Sequence, residues 1–249
     1  MIISQPKVNL IIQARMGSKR LPGKSLFKLA GEPLVGRILE RVKRCKMINE
    51  IILAIPNTPE NLPLKDLSSK YSVKIYAGSE NDLVERYYQA SKIFVSDYIC
   101  RLPADNPTPE PKEIDKMIKY HLQLDKKGFS TNLAQIKNSG YPDGIGIEIF
   151  SFDLLSQIRN KNNDQLFREH LHLNFYDYAK DKAVDELWCP INTLKCPKSY
   201  ARPDLVLDVN TMDDYLFMEK LYNYLYPKNP EFGILDIIEW FENVYKNDN

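Results

Sequence analysis

An apolar-dominated run, Val8 to Ile12, empties directly into Gln13-Ala14-Arg15-Met16-Gly17-Ser18-Lys19-Arg20-Leu21-Pro22-Gly23-Lys24. No other junction in the chain constrains the fold as much. The run reads as a buried strand. The ten residues from Arg15 to Lys24 then hold two glycines, one serine and four cations. Glycines let main-chain N–H groups approach an anion closely, and the cations neutralise it. A strand that ends in such a loop is suited to hold phosphate at the carboxyl edge of a sheet.

The chain that follows alternates strands and helices. Strands are expected at Lys7–Ile12, Glu50–Ile55, Val73–Tyr76 and Tyr98–Leu102. Helices are expected at Pro33–Cys45, with Leu34, Val35, Ile38, Leu39 and Val42 on one face, at 61–71, and at about Asp82–Phe94. Repeated βα units imply a mostly parallel sheet with helices on both faces. After residue 125 the pattern turns mixed. Strand-like pieces at 128–133 and 145–150 flank Gly140-Tyr141-Pro142-Asp143-Gly144, helices follow at about 151–160 and 166–178, and a strand lies near 184–191. This reads as an arm of about 128–200 on a single domain spanning 1–249. Strand Leu205–Leu207, helix 212–225 and a surface helix at about 234–245 return to the core pattern.

The loop does not fit a P-loop. Gly17 to Gly23 encloses five residues, one too many, and the next helical pattern starts only near Pro33. The bland alternative from residues alone is a basic surface loop with glycines for turning. Net charge is +1, which implies no polyanion-binding field and no nucleic-acid partner. Residues 1–46 nevertheless carry eleven Lys/Arg against Glu32 and Glu40, which suits a small polyphosphate ligand, or a solvated helix face where Arg37, Arg41 and Arg44 recur. Cysteines 45, 100, 189 and 196 form no C-x-x-C pair, so neither a zinc site nor a disulfide framework is suggested. The start, Met1 to Lys7, has no signal-like pattern, and no segment approaches eighteen apolar residues, so a cytoplasmic protein without a membrane partner is expected.

Asp105 follows the strand Tyr98–Leu102, and Asp208 follows Leu205-Val206-Leu207, so both stand at carboxyl ends of strands. Hard oxygens from separate strand ends suit Mg²⁺, which combines one or two carboxylates with phosphate oxygens and water. Asp105 capping a turn and Asp208 capping the helix near Thr211 is the competing reading. His170 and His172 lack an evident third ligand, so no histidine metal site is expected.

The segment Arg15 to Lys24 resembles the Arg-x-x-Ser-x-Arg-x-Pro-Gly-Lys signature of the sugar-activating cytidylyltransferases, and Gln13-Ala14-Arg15-Met16-Gly17-Ser18 looks most like the SpsF type. Five further segments resemble that family in order. They are Gly78-Ser79-Glu80-Asn81-Asp82-Leu83-Val84-Glu85-Arg86-Tyr87, Pro103-Ala104-Asp105-Asn106-Pro107, Tyr141-Pro142-Asp143-Gly144, Arg168-Glu169-His170, and Ala201-Arg202-Pro203-Asp204 leading into Leu207-Asp208-Val209-Asn210-Thr211. Asn210 stands where the family often has Asp. The likeness covers roughly residues 8–225.

The resemblance implies a GT-A-like, Rossmann-like α/β fold with a mixed α/β arm, and a CTP-dependent transfer that makes a CMP-sugar and releases pyrophosphate. It implies Asp105 and Asp208 as ligands of Mg²⁺. Arg15, Arg20 and Lys24 would neutralise the triphosphate, with Ala14 and the Gly17 and Ser18 N–H groups cradling it and Arg15 and Lys24 aiding catalysis. Ala54 to Asn57 would border the base, beside Ala104. Arg86 would reach the nucleotide or pair with Glu85 or Asp82. Tyr141, Asp143, Arg168, Glu169 and His170 would face the sugar acceptor, and a homodimer would join through the arm. Alternatives are a nucleotidyltransferase using UTP or a polyol phosphate, a GT-A glycosyltransferase, for which no D-x-D is present, and a non-enzymatic nucleotide-binding module.

Overall fold

The computed structural model describes residues 5–125, 127–133 and 136–247, so the stretch Met1–Ser4 lies outside the described residues. The elements run β1 (Val8–Gln13), β2 (Lys28–Leu29), β3 (Glu32–Pro33), α1 (Leu34–Val42), β4 (Glu50–Pro56), α2 (Leu62–Lys70), β5 (Lys74–Gly78), α3 (Leu83–Ile93), β6 (Tyr98–Pro103) and α4 (Pro111–Gln123). They continue with β7 (Phe129–Thr131), β8 (Glu148–Ser151), α5 (Phe152–Lys161), α6 (Gln165–Glu169), β9 (Tyr176–Asp177), β10 (Lys182–Ala183), β11 (Ile191–Thr193), α7 (Met212–Leu225) and α8 (Ile234–Asn243).

A seven-stranded sheet in the order β11-β7-β8-β6-β1-β4-β5 organises the chain. β6, β1, β4 and β5 pair in parallel, and β8 runs antiparallel to β6 and β7. β1 shows why its apolar run is not interrupted. Leu10 and Ile12 point into one core with α1, α4, α7 and α8, whereas Ile11 points into the other with α3 and α5. A strand covered on both faces needs apolar residues at successive positions. Because the parallel strands share one direction, their carboxyl ends share one edge. Every loop that leaves this edge, including 14–27, 57–61, 79–82 and 104–110, can face the same ligand.

The mostly parallel α/β sheet follows the sequence expectation, and several elements differ from it. α4 is not among the expected elements, although Pro111 in its first turn and Ile114, Met117, Ile118 and His121 at helical spacing are its signature. The helix expected over 166–178 ends at Glu169. Asn174 Nδ2 donates to the Phe167 and Leu171 carbonyls, closing the helix end, and Tyr176–Asp177 pairs with Lys182–Ala183 as a separate ribbon. The strand expected near 184–191 is replaced by a turn, in which Asp185 accepts from the Leu187 and Trp188 N–H groups, before β11. Leu205–Leu207 makes one parallel bridge, between Asp143 and Val206, rather than a ladder. Within the stretch 128–200, β7, β8 and β11 extend the central sheet, and the β9–β10 ribbon forms its own small sheet.

Candidate active site

The loop after β1 is held by its own backbone and by one distant side chain. The Ser18 and Gly23 N–H groups both donate to the Met16 carbonyl, and Ser25 Oγ donates to the Arg15 carbonyl. The Met16 N–H donates to Oδ1 of Asn61, a buried residue after β4 that sequence reasoning missed. Gly23 has φ 75°, a conformation that disfavours any side chain. Ser18, expected to offer its N–H to phosphate, uses it inside the loop. The Gly17 N–H makes no backbone hydrogen bond among the described residues.

Cations of this loop reach across to the two acidic strand ends. Lys24 Nζ donates to Asp105 Oδ2 at 3.1 Å and to the Val209 carbonyl at 2.6 Å. Arg20 Nη2 donates to Asn210 Oδ1 at 2.5 Å, and Asn210 Nδ2 donates to Asp208 Oδ2. The Val209 N–H donates to the Asp105 carbonyl at 2.8 Å, which joins the two acidic loops directly. Asp105 and Asp208 are therefore neighbours in space although 103 positions separate them in the sequence.

Asp143 joins them through glycine geometry. Its N–H donates to the Leu205 carbonyl, and its carbonyl accepts from the Leu207 N–H. Gly144, at φ 87°, lies so close to this segment that a Cβ would stand 2.8 Å from the Leu207 carbonyl carbon and 2.9 Å from the Asp208 nitrogen. Only glycine admits that approach. Burial, followed by the charges of Asp143 and Asp105, pushes the Asp208 carboxyl up to about 6. Such a concentration of negative charge suits a divalent cation, and the donors are all hard oxygens. Among the described residues no group of three or more His, Cys, Asp or Glu could hold a metal ion alone. Two carboxylates, Asp105 and Asp208, would serve a cation that takes the rest of its shell from phosphate and water, as Mg²⁺ does.

On the opposite side of the loop, Arg15 Nη1 stands 3.7 Å from Glu169 Oε1 and is half-exposed. Arg86 donates to the Ser79 carbonyl, and its buried Nε has no partner. Burial lowers Arg86 to about 10, and the nearby Arg15 charge acts in the same direction. Neither of its expected carboxylate partners, Glu85 or Asp82, forms an ion pair with it; both pair with arginines of α5 and α6. Ala14 and Ala104 are buried and bonded to neighbouring strands, the Ala14 N–H to the Ala54 carbonyl and the Ala104 N–H to the Gln13 carbonyl. The Ala54 methyl is buried and its carbonyl is occupied by Ala14, so Asn57 is the exposed member of that strand end.

Two residues expected at the acceptor are engaged by other parts of the fold. Tyr141 is fully buried, and its hydroxyl donates to Glu113 on α4 at 2.5 Å. Arg168 donates to Asp82, the N-cap of α3, and to the Arg159 carbonyl, and lies 3.6 Å from Glu85. An Arg with three acceptors on α3 and α5 is a strut between helices. Glu169 remains beside Arg15, and His170, next in the chain, is exposed. Beneath the edge, Arg101 forms a buried pair with both oxygens of Glu148 at 2.7 Å and bonds Gln13 at the end of β1. No spacing rule links those residues in the sequence. Among the described residues no helix is long and apolar enough to cross a membrane.

With this geometry in view, the chain matches the cytidylyltransferase family over residues 9–220. It is 31% identical over 214 residues to an uncharacterized protein of Methanocaldococcus jannaschii, covering 86% of this chain and 82% of that one. It is 28% identical over 217 residues to the spore coat polysaccharide biosynthesis protein SpsF of Bacillus subtilis, covering 85% of each. The solved structure of a cytidylyltransferase from Leptospira borgpetersenii superposes with a TM-score of 0.84 at 28% identity, covering 98% of this chain and 96% of that one. The chain belongs to the cytidylyltransferase family.

Proposed function

We propose that this cytidylyltransferase uses CTP with Mg²⁺ to activate a sugar, either an ulosonic acid or a sugar phosphate, as its CMP derivative. The observation that carries the reading is the Lys24 ammonium, which bonds the acidic strand ends at both Asp105 and Val209. A triphosphate laid along the loop would find Arg15, Arg20 and Lys24 on one side and Asp105 and Asp208 on the other. The unpartnered Nε of Arg86 beside Arg15 supports an anion at that point as well.

The acceptor oxygen attacks the α-phosphorus in line, the bond to the β-phosphate breaks, and pyrophosphate leaves with the electron pair. Lys24 and Arg20 exchange their present partners for oxygens of the departing pyrophosphate, which puts positive charge where negative charge grows. Arg15 orients the α-phosphate between the nucleotide and Glu169. Glu169, His170 and Asp143 bind the acceptor. Asp105 and Asp208 would hold Mg²⁺, which supplies Lewis acidity at the α-phosphate when bound. Positioning and charge neutralisation carry the rate, and no covalent nucleophile is required. The protein acts as a homodimer joined through the 128–200 stretch.

A pyrophosphate-release assay with the four NTPs, run against carboxylated sugars, sugar phosphates and polyol phosphates, tests the reading. Release with CTP and one sugar class is expected. Release only with ATP, or none with any acceptor despite tight CTP binding, would overturn it. Light scattering of the purified protein tests the dimer.

A further inference from the structure

We propose that Asn210 is a positioning residue that sets Arg20 of the phosphate loop and Asp208 in one register through the two ends of a single amide. The inference rests on the reading above that Asp208 faces the metal and the triphosphate. Asn210 Oδ1 accepts from Arg20 Nη2 at 2.5 Å, and Asn210 Nδ2 donates to Asp208 Oδ2. An amide is the side chain that can do both, since it carries an acceptor and two donors on one planar group. Arg20 and Asp208 lie 188 positions apart in the sequence, and among the described residues the Arg20 guanidinium makes no other hydrogen bond.

The local turn does not depend on this side chain. Thr211 and Asp214 form a capping box at the start of α7, and Asp214 Oδ2 also accepts from the Asn210 main-chain N–H. The Asn210 amide is therefore free of the cap, and its contacts run to the site. Its bond to Asp208 occupies one carboxylate oxygen, Oδ2, of a carboxyl on which the charges of Asp143 and Asp105 also act. A carboxylate at position 210 would still pair with Arg20. It would lose the donor to Asp208 and add a negative charge beside the three aspartates already there.

The test uses isothermal titration of the whole protein with CTP, in EDTA and again with Mn²⁺, for wild type, Asn210→Ala, Asn210→Asp and Asp208→Asn. In Asn210→Ala, Arg20 is no longer preorganised, so CTP binding in EDTA weakens by about two- to tenfold. The enhancement by Mn²⁺ shrinks as well. Asn210→Asp keeps the anchor for Arg20 and keeps the shape of the turn, so it serves if the alanine variant unfolds. In that variant the enhancement by Mn²⁺ grows. Asp208→Asn loses the enhancement. Asn210→Ala and Asn210→Asp both within twofold of wild type, with and without Mn²⁺, would overturn the positioning role provided that Asp208→Asn has lost the enhancement. Full enhancement retained in Asp208→Asn would instead overturn the assignment of Asp208 to the metal. A melting temperature lowered in Asn210→Ala with both affinities unchanged would mark the amide as structural and also overturn the proposal.

Discussion

The two sides of the sheet's carboxyl edge use arginine and lysine in opposite ways. On the phosphate-loop flank, Lys24 and Arg20 reach acidic loops that share the carboxyl edge of the sheet, and each holds partners that a triphosphate could replace. On the α3–α6 flank, Arg168 and Arg159 are locked onto Asp82 and Glu85, the residues that start α3. The first group consists of charges available for exchange. The second consists of charges that fix helices relative to one another. Charge alone does not distinguish them, because both flanks are rich in Arg and carboxylate. The partner does: a residue that closes a helix N-terminus cannot let go without loosening that helix.

The largest expected effect breaks the comparison at its chemical centre. Asp105→Asn and Asp208→Asn should each lower turnover at least about a hundredfold in the pyrophosphate assay, because a metal Lewis acid supplies several kcal/mol. Near-normal magnesium-dependent turnover in either would remove the acidic pair from the reaction. Next, Lys24→Ala should weaken CTP binding by about ten- to hundredfold, the equivalent of about 1.5–3 kcal/mol for charge-assisted hydrogen bonds. Titration with CTP reads this directly, and unchanged affinity would place Lys24 with the struts.

Arg168→Ala sharpens the contrast from the other flank. It should leave CTP affinity unchanged while costing about 1.5 kcal/mol of stability through the lost bonds to Asp82, a drop of about 3–6 °C in melting temperature. A stable variant with weakened acceptor use would return Arg168 to the binding machinery.

The smallest effect is electrostatic. Burial and the neighbouring carboxylates raise the Asp208 carboxyl to about 6, above its unfolded value near 4. A raised carboxyl binds its proton more readily in the native state, so this contribution to stability is full below about pH 4 and is lost as pH rises through 6. In EDTA, Asp208→Asn should therefore melt higher than wild type at pH 7.5, and the gap should close below pH 4. Water still reaches part of the carboxylate, which limits the gain to about 1 kcal/mol, or about 2–4 °C. Equal melting temperatures at pH 7.5 would show that the three carboxylates do not strain one another.

How much of this was legible in the chain depends on the range of each interaction. The strand Val8–Gln13, its Gly-rich cationic loop and Asp105 after β6 declare themselves locally, because a parallel sheet forces its loops to one edge, whereas Asp208 reaches that edge through a single bridge and not a strand of the sheet. α7, expected over 212–225, begins and ends at those residues, since its capping residues Thr211 and Asp214 are adjacent to it in sequence. Short motifs associate Arg168 and Tyr141 with the acceptor. The side chains they bond in the fold, Asp82 and Glu113, stand 86 and 28 positions away, and nothing near them in sequence signals that pairing. Asn61 and Gln13 are likewise ordinary polar residues until the sheet brings them to Met16 and Arg101.

The sequence by itself determined the class of fold, the Gly-rich cationic loop and the two acids that follow apolar runs, because period, glycine placement and capping are local physical constraints. Only the tertiary structure decided which cations are free to meet a ligand. That choice depends on which carboxylates the packing of α3, α5 and α6 places against each guanidinium. It also decided that Gly144 lets Asp143 lie against the Leu205–Asp208 segment, and that one amide, at Asn210, spans the gap between Arg20 and Asp208. Those are distances between segments far apart in the chain, which the sheet sets and no local pattern encodes.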